Sequence, residues 1–359
     1  MSKVILVCGA RPNFMKVAMV LEEMRRFPED FSPLLVHTGQ HYDYDLSGAF
    51  FRDLSIPEPD IYLGVGSGNH GEQTGRIMIE FEKVAEREKP SLIVVVGDVN
   101  STLAAAIVAS KLLIPLAHVE AGLRSFDRTM PEEINRTLTD VLSDYCFTTE
   151  EEANLNLERK GVDGSRIHLV GDVMIDCLMK TRENAKCSKI LEDLDLQEES
   201  YAVLTLHRPS NVDARDTFSR IVEALEFVGE RIKIIFPAHP RTRNRLAEFK
   251  IAPRNVVLIG PLGYLDFIRL EEKAKFVLTD SGSIQQETSV LGVPCLTIRE
   301  NTERPFTVRK GTNTLVGMDK ERIVEESLKV MDGKNERGEV HHLWDGKASQ
   351  RIIQILRTA

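Results

Sequence analysis

The sequence predicts an α/β protein made of two doubly wound, parallel-sheet domains. Three observations carry this. Short runs rich in Val, Ile and Leu recur along the chain, and most are continuously apolar rather than alternating; strands covered on both faces read this way. Amphipathic helical patterns separate them, and strand–helix alternation means parallel sheets joined by right-handed crossovers. Finally, 359 residues exceed one ordinary doubly wound sheet and suit two domains.

The first strand is expected at residues 3–8 (KVILVC), followed by a helix over 15–27. Strands are then expected at 33–38, 91–97, 115–119, 145–148 and 167–170, with helices over 71–88, 101–113 and 132–142. The polar stretch 180–199 breaks the rhythm, so a junction is expected just before it, near residue 172. The second half supplies strands at 201–206, 232–236, 255–259, 275–279 and 294–298, and helices over 216–230 and 320–331. A last helix, 347–357, follows the Asp345-Gly346 turn and is free to pack back on the first half. The expected domains are therefore 1–172 with the C-terminal helix 347–359, and 173–346.

Bulk composition excludes several roles. Lys and Arg number 46 against 55 Asp and Glu, a formal charge of −9 with no offsetting basic run. Nucleic acid and anionic membrane surfaces are poor partners for such a chain. The apolar run before Gly9 is too short for a signal peptide, and no segment approaches the roughly 20 residues of a membrane span. Five scattered cysteines without a C-x-x-C pair suit a reducing compartment and argue against structural zinc. A cytoplasmic protein is expected. No metal is expected either, nor a nicotinamide cofactor, since G-x-G-x-x-G is missing after the first strand.

Ligands of open α/β sheets bind where strand ends lead into helix N-termini. Five such junctions carry chemistry. In GARPNFMK (9–16), Gly9 permits a tight turn, Arg11 can fork onto a phosphate, and Lys16 lies one helical turn in. In GDVNST, Asp98 ends a buried strand, although capping a helix would explain it too. In HVEAGLRSFDRTMPEEINR, Glu120 ends an apolar strand, where a carboxylate is costly unless paired. Glu132 and Glu133 open a helix after Pro131, and the helix dipole fully explains one of them. His207 ends a strand of the second half. In LTDSGSIQQE, strand, loop and helix start form a cradle of backbone N–H groups, with Glu287 on the helix and Arg304 in the next loop. Carboxylates in one half and a nucleotide-diphosphate grip in the other suggest proton transfer on a sugar. Phosphoryl transfer fits less well, without a Walker motif or metal-ligand cluster.

In order and spacing, GARPNFMK, GDVNST, HVEAGLRS, MPEEINR, TLHR, LTDSGSIQQE and ENTERP resemble the non-hydrolysing UDP-N-acetylglucosamine 2-epimerases, over essentially the whole chain. The resemblance implies two Rossmann-like domains in a glycosyltransferase-B-like fold, an active site in the interdomain cleft, and a homodimer. It implies interconversion of UDP-N-acetylglucosamine and UDP-N-acetylmannosamine, by elimination of UDP to a 2-acetamidoglucal and re-addition. On that resemblance Asp98, Glu120 and Glu132 serve proton transfer, and His207 lies beside the leaving diphosphate. Arg11 and Lys16 contact substrate. Phe267, Ser281, Gly282, Ser283, Glu287 and Arg304 bind UDP. The family's usual S-G-G and E-E stretches are Ser281-Gly282-Ser283 and Gln286-Glu287 here. Of an activating second UDP-sugar site, Gln40, Arg76 and His239 match, whereas Asp43 and Pro209 replace a Gln and an Arg. The competing expectations are a 2-epimerase of UDP-2,3-diacetamido-2,3-dideoxyglucuronic acid and a glycosyltransferase of the same fold. A non-catalytic sugar-binding protein would fit the fold, but such proteins are exported.

Overall fold

A computed structural model describes residues 1–40, 58–334 and 338–358, apart from the side chains of Arg11 and Pro12. The chain divides into two units, Met1–Lys180 with His342–Ala359, and Thr181–His341.

Seven parallel strands form the sheet of the first unit: β1 (Ser2–Cys8), β2 (Phe31–His37), β3 (Ile61–Tyr62), β4 (Leu92–Val96), β5 (Leu116–Val119), β6 (Tyr145–Thr148) and β7 (Ile167–Leu169). Their order is β3-β2-β1-β4-β5-β6-β7. Helices cover both faces, so Ile5, Leu6, Ile93 and Val94 have no exposed surface. This is why the strands read as unbroken apolar runs. Six parallel strands form the second sheet: β8 (Tyr201–Thr205), β9 (Lys233–Pro237), β10 (Val256–Ile259), β11 (Phe276–Thr279), β12 (Cys295–Thr297) and β13 (Asn313–Leu315). Their order, β10-β9-β8-β11-β12-β13, has the same logic. In each sheet the winding reverses between neighbouring strands, β1 and β4 in one, β8 and β11 in the other. Loops leaving such a pair diverge to opposite faces and open a crevice at the strands' carboxyl ends.

All eleven expected strands form, with ends shifted by a residue or two. β3 and β13, of two and three residues, were not expected. Both lie at sheet edges, where a strand pairs on one side only and needs no long apolar run. The first helix spans Arg11–Met24 rather than starting near residue 15, because Pro12 occupies its first turn, where a missing N–H costs nothing. Helix Ala348–Thr358 packs against helix Arg11–Met24. Its N-terminus is fixed by buried Asp176, which accepts from Ala348 N at 2.9 Å, Ser349 N at 2.7 Å and Ser349 Oγ at 2.6 Å. Among the described residues no helix is long and apolar enough to cross a membrane.

Candidate active site

In the first unit, β4 ends at Val96 and delivers Asp98. Its Oδ2 accepts from Arg136 Nε at 3.0 Å and Nη2 at 2.8 Å. The third guanidinium nitrogen, Nη1, donates to Glu133 Oε2 at 2.6 Å, and Arg136 is itself 2% exposed. Glu133 Oε2 also accepts from Ser125 N and Oγ. The two acids that open helix Pro131–Leu142 thus part company: consecutive helical residues point about 100° apart, and only Glu133 turns inward. Glu132 is half-buried, and among the described residues its side chain makes no hydrogen bond or ion pair. The same helix is tied to Asp98 by Asn135 Nδ2, which donates to the Asp98 carbonyl at 2.8 Å.

Glu120 follows β5 in a left-handed conformation, φ +68°. A non-glycine residue pays about 1–2 kcal/mol for that backbone, and such residues cluster at functional sites. Here it turns a buried carboxylate onto Lys16 Nζ, 2.6 Å away, and to within about 3.5 Å of where a Cβ on Gly97 would lie. Glu120 is therefore brought beside the Asp98 loop, and Lys16 is its counter-ion. The rest of HVEAGLRS is anchorage. Asp140 takes His118 Nδ1 at 2.7 Å, Arg124 Nη2 at 2.6 Å and Gly122 N, while His118 Nε2 lies 2.8 Å from the Gly97 carbonyl. Burial opposes ionisation of Asp140, but the hydrogen bond and charge of His118, then those of Arg124, hold its carboxyl below the usual range. Gly9 has a different reason from the expected tight turn. A Cβ there would lie 2.0 Å from Ser101 Oγ, so glycine is needed for close approach. The side chain of Arg11 lies outside the described residues, as does Asp43.

In the second unit, the loops after β8 and β11 meet through Asp280, a residue that the motif reading passed over. It has no exposed surface. Oδ2 accepts from Arg208 N at 2.8 Å, His207 N at 3.0 Å and Asn211 Nδ2 at 3.1 Å. Oδ1 lies 2.8 Å from His207 Nδ1. Burial disfavours the carboxylate, but the charge and hydrogen bond of His207 and the backbone donors outweigh it, so the Asp280 pKa is lowered. The His207 side chain is 51% exposed, with Nδ1 turned inward. Its position directly after an apolar strand was the available signal for Asp280.

Ser281 caps helix Gly282–Leu291 without a side-chain hydrogen bond. At Gly282 a Cβ would meet Glu303 Oε1 at 2.4 Å, so a larger residue would have to displace that carboxylate from Arg299, 2.7 Å away. Ser283 lies in the first turn with an ordinary helical backbone, so the missing second glycine of the usual motif costs nothing here. Glu287, 2% exposed, accepts from the Tyr264 hydroxyl at 2.8 Å. Close by is Glu271, fully buried, its oxygens without hydrogen-bond partners among the described residues. Burial, and then the charge of Glu287, push its pKa well up. Arg304 is 5% exposed and caps helix Pro305–Arg309, and Phe267 is half-buried against the apolar cluster around Val203 and Ile284.

The residues matched to a second ligand site are each held in their own surroundings. Gln40 Oε1 accepts from Ser101 N at 3.0 Å and Oγ at 2.7 Å. Arg76 is paired with Glu72 one turn away. His239 Nδ1 accepts from Arg241 N, capping helix Pro240–Phe249.

The model of the UDP-N-acetylglucosamine 2-epimerase family matches residues 23–357. A UDP-N-acetylglucosamine 2-epimerase homolog of Methanococcus maripaludis is 45% identical, the match covering 99% of both chains. A UDP-2,3-diacetamido-2,3-dideoxy-D-glucuronate 2-epimerase of Pseudomonas aeruginosa is 41% identical, again over 99% of both. The crystal structure of the Methanocaldococcus jannaschii UDP-GlcNAc 2-epimerase, in complex with UDP-GlcNAc and UDP, superposes with a TM-score of 0.92 at 41% identity, covering 99% of this chain and 100% of that one. A family model matched over residues 23–357, with relatives above 40% identity along their whole length, decides the matter: the chain belongs to the UDP-N-acetylglucosamine 2-epimerase family.

Proposed function

We propose that this chain interconverts UDP-N-acetylglucosamine and UDP-N-acetylmannosamine without metal or nicotinamide. The observation that carries this is the full-length likeness to an epimerase solved with UDP-GlcNAc and UDP, 41% identical at a TM-score of 0.92. The site chemistry is consistent with it. A base takes the C2 proton, the C1–O bond breaks with its electron pair leaving on UDP, and C1=C2 forms. UDP then re-adds at C1 while an acid delivers a proton to the other face of C2. Asp98, Glu120 and Glu132 are the proposed proton carriers. His207 stands at the diphosphate, and Ser281, Gly282, Ser283, Glu287, Arg304 and Phe267 hold UDP through N–H groups, charge and packing. Arg11 and Lys16 complete the substrate contacts, Lys16 also serving as counter-ion to Glu120.

Incubation with UDP-N-acetylglucosamine in deuterium oxide, followed by proton NMR, tests this reading. The expected result is UDP-N-acetylmannosamine with deuterium at C2, unaffected by EDTA. No turnover on this sugar, but turnover on UDP-2,3-diacetamido-2,3-dideoxyglucuronate, would transfer the assignment to the chemistry of the Pseudomonas relative.

A cytoplasmic location is supported by the five scattered cysteines, which include no C-x-x-C pair. A homodimer is supported by exposed Ile79, Leu138 and Val141 on helices His70–Glu88 and Pro131–Leu142. An open recess of about 470 Å³ beside them is lined by Thr74, Met78 and Ile134. Sedimentation at micromolar concentration checks the assembly; a monomer would remove that part.

A further inference from the structure

We infer that Asp280 is a positioning residue that fixes the tautomer of His207, so that Nε2 is the ring nitrogen presented to the departing diphosphate. This rests on the proposed place of His207 beside the departing diphosphate.

The geometry forces the assignment. A carboxylate can only accept hydrogen bonds, so the nitrogen 2.8 Å from Asp280 Oδ1 must carry a hydrogen. That nitrogen is Nδ1. In the neutral ring the lone pair therefore stays on Nε2, on a side chain that is 51% exposed. Asp280 cannot swing away to release the ring. It is fully buried, and its other oxygen is held by two backbone N–H groups and by Asn211 Nδ2. Asn211 is fixed in turn, donating to the Ile298 carbonyl at 2.9 Å. The pair joins the loops after β8 and β11, the two strands between which this sheet's winding reverses. A base oriented by a buried acid recurs wherever an imidazole must present one defined nitrogen.

The same contacts predict what Asp280→Asn does. Three donors converge on Oδ2, so the amide oxygen must take that place. The amide NH₂ is then left facing Nδ1, which is forced to accept, and the ring hydrogen moves to Nε2. The substitution keeps the volume and reverses the tautomer.

The test is heteronuclear NMR on ¹⁵N-histidine-labelled full-length protein, with His207→Asn identifying the His207 signals, alongside turnover. The expected wild-type spectrum has the neutral His207 ring protonated at Nδ1. The opposite tautomer overturns the inference, and this measurement stands even if D280N does not fold. In D280N the hydrogen should move to Nε2 and kcat fall by roughly 10²-fold, with UDP affinity within about threefold of wild type. A double-mutant cycle separates positioning from loop structure. In the H207N background D280N should cost almost nothing more; an undiminished cost would mean that Asp280 acts on the loop and not through the ring. Full activity of H207N would instead sink the placement of His207 itself, whatever the ring spectrum shows.

Discussion

Asp98 and Asp280 hold equivalent places in their units. Each follows the strand that pairs with the unit's first strand, β4 beside β1 and β11 beside β8. They are held in opposite ways. The Asp98 side chain is 33% exposed and bound by a guanidinium, whereas Asp280 is fully buried and bound by N–H donors and an imidazole. The contrast extends to their neighbours. Glu120 has Lys16, while Glu287 has a neutral tyrosine hydroxyl and lies close to a second acid, Glu271. The first unit sets its acids against cations, Asp98 on Arg136 and Glu120 on Lys16, as suits the proton carriers proposed above. The second buries Asp280, Glu271 and Glu287, and Asp280 holds the His207 ring. The same topology thus carries the proposed reacting edge and the proposed gripping edge, and the difference lies in which side chains the loops carry.

The largest effect should come from removing the cation that anchors the reacting edge. Arg136→Met removes the guanidinium from both Asp98 and buried Glu133 and should cost about 3–5 kcal/mol of stability, with turnover lost as well. Chemical denaturation measures it, and a cost below about 1 kcal/mol would show that the network is not what holds this edge.

Next, Asp98→Asn, Glu120→Gln and Glu132→Gln should each lower kcat by on the order of 10²-fold or more, with little change in substrate affinity. Glu133→Gln sharpens the comparison, since its carboxylate is occupied by Arg136 and Ser125: stability should suffer before chemistry does. Near-normal rates in two of the first three variants would remove the carboxylates from the mechanism.

On the gripping edge, Arg304→Ala should weaken UDP binding by about 1.5–3 kcal/mol, the scale of a lost charged hydrogen bond, without touching the acids of the first unit. Calorimetry with UDP decides, and unchanged affinity would mean the cradle is misplaced.

The smallest effect is a pH dependence of opposite sign at two buried acids of the second unit. Asp280 is depressed, so its stabilisation is present above the unfolded value of 3.8 and fades as pH falls through the lower folded one. Glu271 is raised, so the folded unit holds a proton that the unfolded chain gives up above 4.5, and stability falls as pH climbs from there toward the folded value. Glu271→Gln should flatten that decline. A stability curve between pH 5 and pH 8, roughly, that is unchanged in this variant would show that Glu271 is not carrying the proton.

Much of this was legible beforehand. Buried parallel strands are apolar on both faces, so eleven strands could be read from their apolar runs alone. β3 and β13 could not, because IY and NTL hold too few consecutive apolar residues to form a run, whereas the equally short edge strand β7 begins the run IHLV. Glu120 was conspicuous because a carboxylate closing an apolar run must be paired. Its left-handed backbone and Lys16 as partner, 104 positions away in sequence, were not.

The sequence by itself determined the class of the fold, the family, and the strand ends that carry the proposed site residues, since these follow from apolar patterning and from motifs a few residues long. Tertiary structure alone decided which of two adjacent acids stays available, Glu132 or Glu133, because helical phase against a particular neighbour sets it. It likewise decided that Gly9 and Gly282 serve close approach and that Asp280 grips His207 across 73 residues. Those are distances between segments remote in the chain, and packing fixes them.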